Sequence, residues 1–180
     1  MKITRGHLGA QATRKPAKNF GWVLASIDDM IEETRYFCNA FSQTLRAHHN
    51  EMAANIFEQA ALGFEQEAQL LERHKEGKIL PDIAPWEMPH PDYEHPVNWL
   101  MDADYLINEA QAWKLVERLV QIHHCYYNHL KATHNIAETL SLVSELQSHC
   151  YHCVEQARHA QQISSSSLTP SDLDPPLDQS

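Results

Sequence analysis

Residues 55–74, NIFEQAALGFEQEAQLLERH, are the stretch that decides the fold. Ile56, Ala60, Phe64 and Leu71 recur at spacings that place them on one face of an α-helix, with charged and amide side chains between them. Asn50 precedes the pattern as a helix N-cap, and a glycine closes it at position 77. The sequence therefore predicts an amphipathic helix of about seven turns.

The same periodicity occurs in three further segments, over about 23–45, from near Asn98 to 130, and over 135–162. Five prolines lie between positions 81 and 96, and a helix cannot continue through that spacing. Only five glycines are present in 180 residues, which disfavours sheets with tight turns. We predict an all-α, ferritin-like four-helix bundle: two antiparallel helix pairs joined by a long crossover between helices two and three.

The two ends of the chain differ from the rest in composition. Residues 1–18 carry five basic side chains and no acid, whereas residues 163–180 are rich in serine, proline and aspartate. Such segments bury little apolar surface. We predict a flexible basic segment over 1–18, the bundle over 19–162 and a disordered acidic tail over 163–180.

Charge and cysteine content exclude several classes of protein. The formal net charge is −10, which disfavours a nucleic-acid surface, and no apolar run reaches the roughly 18 residues of a membrane span. Four scattered cysteines do not form a disulfide framework. A cytoplasmic protein is predicted, although the basic, acid-free start is also compatible with an organelle transit peptide.

A few ionisable residues fall on the inward faces of the predicted helices. Glu67 lies at the centre of the apolar face of helix two, and Glu109 and His123 lie on that of helix three; Glu33 and His149 flank the faces of helices one and four. A buried carboxylate is costly unless it is neutralised, paired or bound to a metal. These five residues are therefore predicted metal ligands, with Fe or Mn as the metal.

Two other interpretations of the inward residues remain open. One is a hydrogen-bonded layer without metal, in which Glu67 pairs with His74 and Glu109 with His123, and a tyrosine at position 36 or 105 donates. The other concerns the Cys150-x-x-Cys153 pair, which with neighbouring histidines has the ligand types of a soft-metal site. Both cysteines share a face with apolar residues, which favours buried thiols of the core.

Residues 55–61 and 65–71 resemble the second helix of rubrerythrins and their ferritin-like relatives, and the pattern of helices and crossover is similar over about 20–162. In that family helices one and three each supply a glutamate, and helices two and four each supply Glu-x-x-His, to hold two irons. The resemblance implies an oxidoreductase-type protein that handles oxygen, peroxide or iron.

Matched to this pattern, Glu33 and Glu109 are the nearest glutamates of helices one and three. The Glu-x-x-His motifs become Phe64-x-x-Glu67 and Gln147-x-x-Cys150. A remodelled mononuclear or di-iron site is one expectation, and a metal-free scaffold or protein-interaction module is the alternative. Because paired C-x-x-C motifs of a rubredoxin type are lacking, the resemblance implies a separate electron donor; a homodimer is also predicted.

Overall fold

The computed structural model describes residues 19–84 and 104–166, and within these ranges the chain is helical and has no strand. Four helices are present: α1 (Phe20–Ala47), α2 (Glu51–Lys75), α3 (Glu109–Thr133) and α4 (Ala137–Ser166). The predicted all-α, four-helix architecture is confirmed at this level. Residues 85–103, which include most of the predicted crossover and the predicted first residues of helix three, lie outside the described residues, as do 1–18 and 167–180.

Asparagine side chains fix the starts of three helices. Asn19, Asn50 and Asn108 each accept a hydrogen bond from a backbone N–H of the first turn, and the side chain of Gln111 completes a reciprocal capping box with Asn108. These contacts satisfy donors that have no partner inside the helix.

Helix three was predicted to begin near Asn98, and this prediction is wrong over residues 104–108, which are not helical. Those residues form a turn and an extended segment, and α3 begins at Glu109. The side chain of Asp104 accepts from the backbone N–H of Leu106 and stabilises the turn, and the capping box then sets the helix boundary. At the same end of the bundle, α4 continues to Ser166, four residues past the boundary expected from the sequence.

The helices form two hairpins, α1–α2 and α3–α4, because each pair is joined by only three residues, 48–50 and 134–136. Packing is most extensive within each hairpin, and α2 against α3 is the main contact between them. Asn50 also donates to the carbonyls of Tyr105 and Ile107, which holds the chain entering α3 against the α1–α2 loop. Within the described ranges, no helix is both long and apolar enough to cross a membrane.

Candidate functional site

The carboxylate of Glu67 lies in the centre of the bundle, where only 1% of the residue is exposed. Its Oε1 accepts from the hydroxyl of Tyr127 (2.5 Å) and from the thiol of Cys150 (3.6 Å), and its Oε2 contacts Nδ1 of His123 (3.1 Å). Three of the roughly four lone-pair positions of a carboxylate are therefore occupied by protein donors. The group is buried but hydrogen-bonded.

His123, also fully buried, connects Glu67 to α1. Its Nε2 lies 2.9 Å from the hydroxyl of Thr34, and that hydroxyl donates its own proton to the carbonyl of Met30. Thr34 therefore links the ring of His123 to the backbone of α1. On the other side of the ring, the contact between Nδ1 and Glu67 holds one proton between the two residues.

The electrostatics of the layer keep the Glu67 carboxylate ionised, so that it acts as an acceptor. Burial alone would raise the pKa of Glu67, but the charge of His123 and the hydrogen bonds from His123 and Tyr127 offset it, so the pKa lies below its usual range. Burial and the neighbouring Glu67 carboxylate raise the pKa of the Tyr127 hydroxyl and of the Cys150 thiol. Both groups stay protonated and act as donors to the carboxylate.

Each of the four helices contributes to this arrangement, which we call the Glu67 layer: Thr34 of α1, Glu67 of α2, His123 and Tyr127 of α3, and Cys150 of α4. Thr34, Tyr127 and Cys150 were not among the predicted site residues. Tyr127 follows His123 by one helical turn and so shares its face, which is a signal that the sequence contains. The contacts of Thr34 and Cys150 depend on how the two hairpins pack against each other, which the sequence alone does not specify.

A cavity of about 260 Å³ adjoins the Glu67 layer between α2, α3 and α4. Its wall is mainly apolar and comes from small and aromatic side chains, including Ala60, Phe64, Trp113, Val116 and Val120. Glu67 and Cys150 are at its buried side, whereas the exposed residues Gln59 and Gln156 mark its mouth. This is the volume that roughly nine water molecules occupy in liquid water, and it is enough for a compact organic molecule.

Trp113 and His149 both line the cavity. The indole Nε1 of Trp113 is buried, out of contact with solvent and without a hydrogen-bond partner among the described residues. Nε2 of His149 donates to the carbonyl of Gly63 (3.1 Å), and the sulfur of Cys153 lies 3.5 Å from the same nitrogen. The contact with Gly63 joins α4 to α2 beside the cavity.

The thiols of the C-x-x-C pair both line this cavity. Burial raises the pKa of Cys153 to about 11, and the negative charge of Glu67 adds to the effect. Because the thiolate is the reactive form, neither thiol is activated as a nucleophile at neutral pH. Their packing agrees with the interpretation as thiols of the core.

The structure brings together three of the five predicted ligands. Glu67 and His123 are in contact, and His149 lines the adjoining cavity. Glu109 is the first residue of α3, 14 residues before His123, and the helical rise separates them by about 21 Å. Glu33 is half-buried in α1. The pKa of Asp29, one turn earlier, is raised mainly by burial, then by the charges of Asp28 and Asp82, and least by the charge of Glu33.

The hydrogen-bonded layer exists, but with different pairs from those proposed on the sequence. His123 pairs with Glu67 and not with Glu109, because Glu109 lies at the far end of α3. His74 instead lies 3.4 Å from Glu145 of α4, near the surface. Tyr36 is 68% exposed, and Tyr105 stacks on His48 at the end of the bundle, so neither donates to Glu67.

The residues of the Glu67 layer do not fit a di-iron centre of the kind that the resemblance implies. That centre requires four carboxylates and two histidines, and the layer has one of each, while Thr34 and Cys150 face them from α1 and α4. Among the described residues, no group of three or more His, Cys, Asp or Glu side chains is arranged to hold a metal ion.

Comparison of the chain with protein-family models, curated proteins and solved structures finds no match. The arrangement of the site is therefore the basis on which a function is proposed.

Proposed function

We propose that this protein is a binding protein for a small molecule with an apolar body, held in the cavity between α2, α3 and α4. The observation that carries the proposal is a mainly apolar cavity of about 260 Å³ between three helices, with the polar residues Glu67 and His149 in its lining. Small-molecule sites are typically concave and apolar, with a few polar groups that fix the orientation of the ligand.

The Glu67 layer supports this proposal because it holds one side of the cavity in a fixed arrangement. Its ion pair and its tyrosine and cysteine donors satisfy each other, so the layer needs no ligand in order to be stable. It also connects the two hairpins on either side of the cavity, because Glu67 belongs to α2 and its donors belong to α3 and α4. The wall facing a ligand is therefore preorganised, which lowers the entropic cost of binding.

Gly63 provides a direct test of the site. A Cβ added at Gly63 meets only the sulfur of Cys153, at 3.8 Å, which is ordinary contact, so a side chain at this position enters the cavity without a clash at its root. We expect that Gly63→Leu fills the cavity and abolishes binding of toluene, measured by titration calorimetry and by amide chemical shifts of Val116 and Val120. Toluene is used because it is compact and apolar.

The matched control is Leu62→Ala, which alters the neighbouring residue on the exposed face of α2, where the leucine is 64% exposed. This variant should bind toluene as the wild type does, and circular dichroism should show that both variants remain helical. Wild-type protein that binds no toluene at millimolar concentration, or Gly63→Leu protein that binds it normally, contradicts the proposal.

A second candidate function is the metalloprotein that the sequence suggested, with Fe or Mn bound at the pair Glu67 and His123. The observation that favours it is the contact between Glu67 and His123 next to a cavity that His149 lines. Protein purified without a His-tag after iron and manganese supplementation should then contain one or two ions per chain, and Glu67→Ala should lose them. Metal-free wild-type protein rejects this candidate and leaves the small-molecule proposal in place.

The remaining sequence-based expectations stay predictions. They are a cytoplasmic location, a homodimer, a protein partner or separate electron donor, and the absence of a nucleic-acid partner. The scaffold alternative is compatible with the cavity proposal, because a metal-free bundle that binds a small molecule needs no catalytic residue.

A further inference from the structure

The four cysteines of the chain, all free thiols, differ in their access to small molecules. Cys38 is fully buried, and Cys125 lies on the exposed surface of α3. Cys150 and Cys153 both line the cavity, but Cys150 is only 2% exposed and its thiol donates to Glu67, whereas Cys153 is half-buried. Cys153 is therefore the cysteine that a molecule in the cavity reaches most directly.

The sulfur of Cys153 lies where α4 passes Gly63 of α2. It is the nearest atom to the position of a Cβ at Gly63, 3.8 Å away, and Gly63 is itself a lining residue. Nε2 of His149 lies 3.5 Å from the same sulfur, and its N–H donates to the carbonyl of Gly63 whether the ring is neutral or charged. An N–H beside the sulfur stabilises the negative charge that develops there when the sulfur attacks a carbon atom.

The thiol of Cys153 is protonated at neutral pH, so its reaction depends on how long a reagent is held beside it. Burial, followed by the charge of Glu67, raises the pKa of Cys153 to about 11. A thiol of high pKa is a strong nucleophile once it is ionised, although little thiolate is present at pH 7. A reagent bound in the cavity stays next to the sulfur, and this proximity offsets the low thiolate fraction.

The wall of the cavity selects an uncharged reagent. It is mainly apolar, and its described residues include the carboxylate of Glu67 but no lysine or arginine. A charged molecule loses its hydration on entering such surroundings. An anion is also repelled by Glu67, whose carboxylate is ionised.

We propose that Cys153 is a covalent attachment site for compact, uncharged electrophiles of the α,β-unsaturated carbonyl class, which the cavity binds before they react. The sulfur forms a bond to the β-carbon, the carbon–carbon double bond becomes a single bond, and the thiol proton ends on the α-carbon. The addition needs no oxidant and has no leaving group. This inference rests on the proposed function, because the cavity binds the electrophile first.

N-ethylmaleimide and N-(2-carboxyethyl)maleimide form a matched pair of reagents, because they share the reactive ring and differ by a carboxylate. Cys125 is the internal control, since it is exposed on the same chain. Peptide mass spectrometry measures the rate at each cysteine. We expect Cys153 to react about 10-fold faster with the uncharged reagent than with the anionic one, whereas Cys125 reacts with both at similar rates. Toluene at about ten times its dissociation constant should slow Cys153 about 10-fold and leave Cys125 unchanged.

Substitutions in α2 complete the test. Gly63→Leu fills the space beside the sulfur and should slow Cys153 as toluene does, whereas Leu62→Ala on the exposed face should not. In both variants an unchanged rate at Cys125 shows that the reagent itself is intact, and circular dichroism shows that the protein is folded.

The outcomes separate this inference from the proposed function. A Cys153 that reacts with neither reagent, that responds to reagent charge and toluene no differently from Cys125, or that reacts more slowly than Cys150 overturns the inference. Toluene binding measured by calorimetry then still supports the cavity as a binding site. Failure of toluene to bind overturns the proposed function, and the requirement for binding before attachment fails with it.

Discussion

Two ion pairs of α2 lie in opposite surroundings. Glu67 and His123 meet in the core, where each side chain is 1% exposed, whereas Arg46 and Glu58 meet at the surface, where their side chains are 39% and 43% exposed. Arg46 has further acceptors in Glu51 and Asn55, and solvent screens them all. Glu67 has only the donors that the fold supplies.

The difference shows where a lost partner matters. At the surface, water replaces a missing partner, and an exposed pair contributes little to stability. In the core, removal of one member leaves the other charge buried without a partner, which costs far more than the pair itself contributes. The comparison therefore predicts a large asymmetry between substitutions in the Glu67 layer and substitutions at Arg46.

The largest effect is expected from Glu67→Ala. It leaves the His123 ring and the Tyr127 hydroxyl without their acceptor, and we expect the free energy of unfolding to fall by about 3–5 kcal/mol. Glu67→Gln keeps the shape and most hydrogen bonds while removing the charge, so its cost should stay below about 1 kcal/mol. Urea unfolding measures both. Equal losses in the two variants would show that the charge, and not the lost acceptor, dominates.

A smaller effect is expected from Tyr127→Phe. The substitution removes one of the three donors of the buried carboxylate, and a cost of about 1–3 kcal/mol is expected for a hydrogen bond to a charged group. Tyr126→Phe is the matched control on the preceding residue of α3, because the Tyr126 hydroxyl donates to the neutral hydroxyl of Ser26. It should cost about 1 kcal/mol. If Tyr126→Phe loses as much unfolding free energy as Tyr127→Phe, the charge of the acceptor does not strengthen the hydrogen bond.

The loss of folding stability at acidic pH tests the same pair without a substitution that leaves a cavity. The pKa of Glu67 is lower in the folded protein than in the unfolded chain, so its contribution is present above the unfolded value, about 4.3, and is lost as pH falls through the folded value. Between neutral pH and about pH 3 the wild type should therefore lose more stability than Glu67→Gln. Parallel pH profiles of the two proteins would exclude a lowered pKa at Glu67.

The smallest effect is expected at the surface pair. Arg46→Ala removes the contacts with Glu58 and Glu51, yet the melting temperature should stay within experimental error of the wild type, and more so at high salt. Thermal unfolding at low and high ionic strength checks this. A drop comparable to that of Tyr127→Phe would mean that exposure does not separate the two classes of ion pair.

Much of the fold could be predicted from the sequence because helical periodicity is a local property. The spacing of Ile56, Ala60, Phe64 and Leu71 predicts α2, and Glu67 follows as a buried residue of the same face. The start of α3 could not be placed as well. The apolar pattern continues upstream of Glu109, and the boundary depends on the capping box between Asn108 and Gln111.

The partners in the site were harder to predict, because they depend on the register between hairpins. Helical periodicity places both Glu109 and His123 on the inward face of α3, but the face does not specify which residue lies level with Glu67. The resemblance to rubrerythrins matched Glu67 and Cys150 to corresponding positions, and these two do meet. In α1 it pointed to Glu33, whereas the adjacent Thr34 faces the layer.

Glu67 is held in the core by Nδ1 of His123, the hydroxyl of Tyr127 and the thiol of Cys150. Ring ¹⁵N chemical shifts of His123, assigned with His123→Gln as the reference, show which ring nitrogen carries the proton of this contact. We expect Nδ1 of wild-type His123 to be protonated, and to lose that proton in Glu67→Gln, where Nδ1 accepts from the amide. An unprotonated Nδ1 in the wild type would show that His123 does not donate to Glu67.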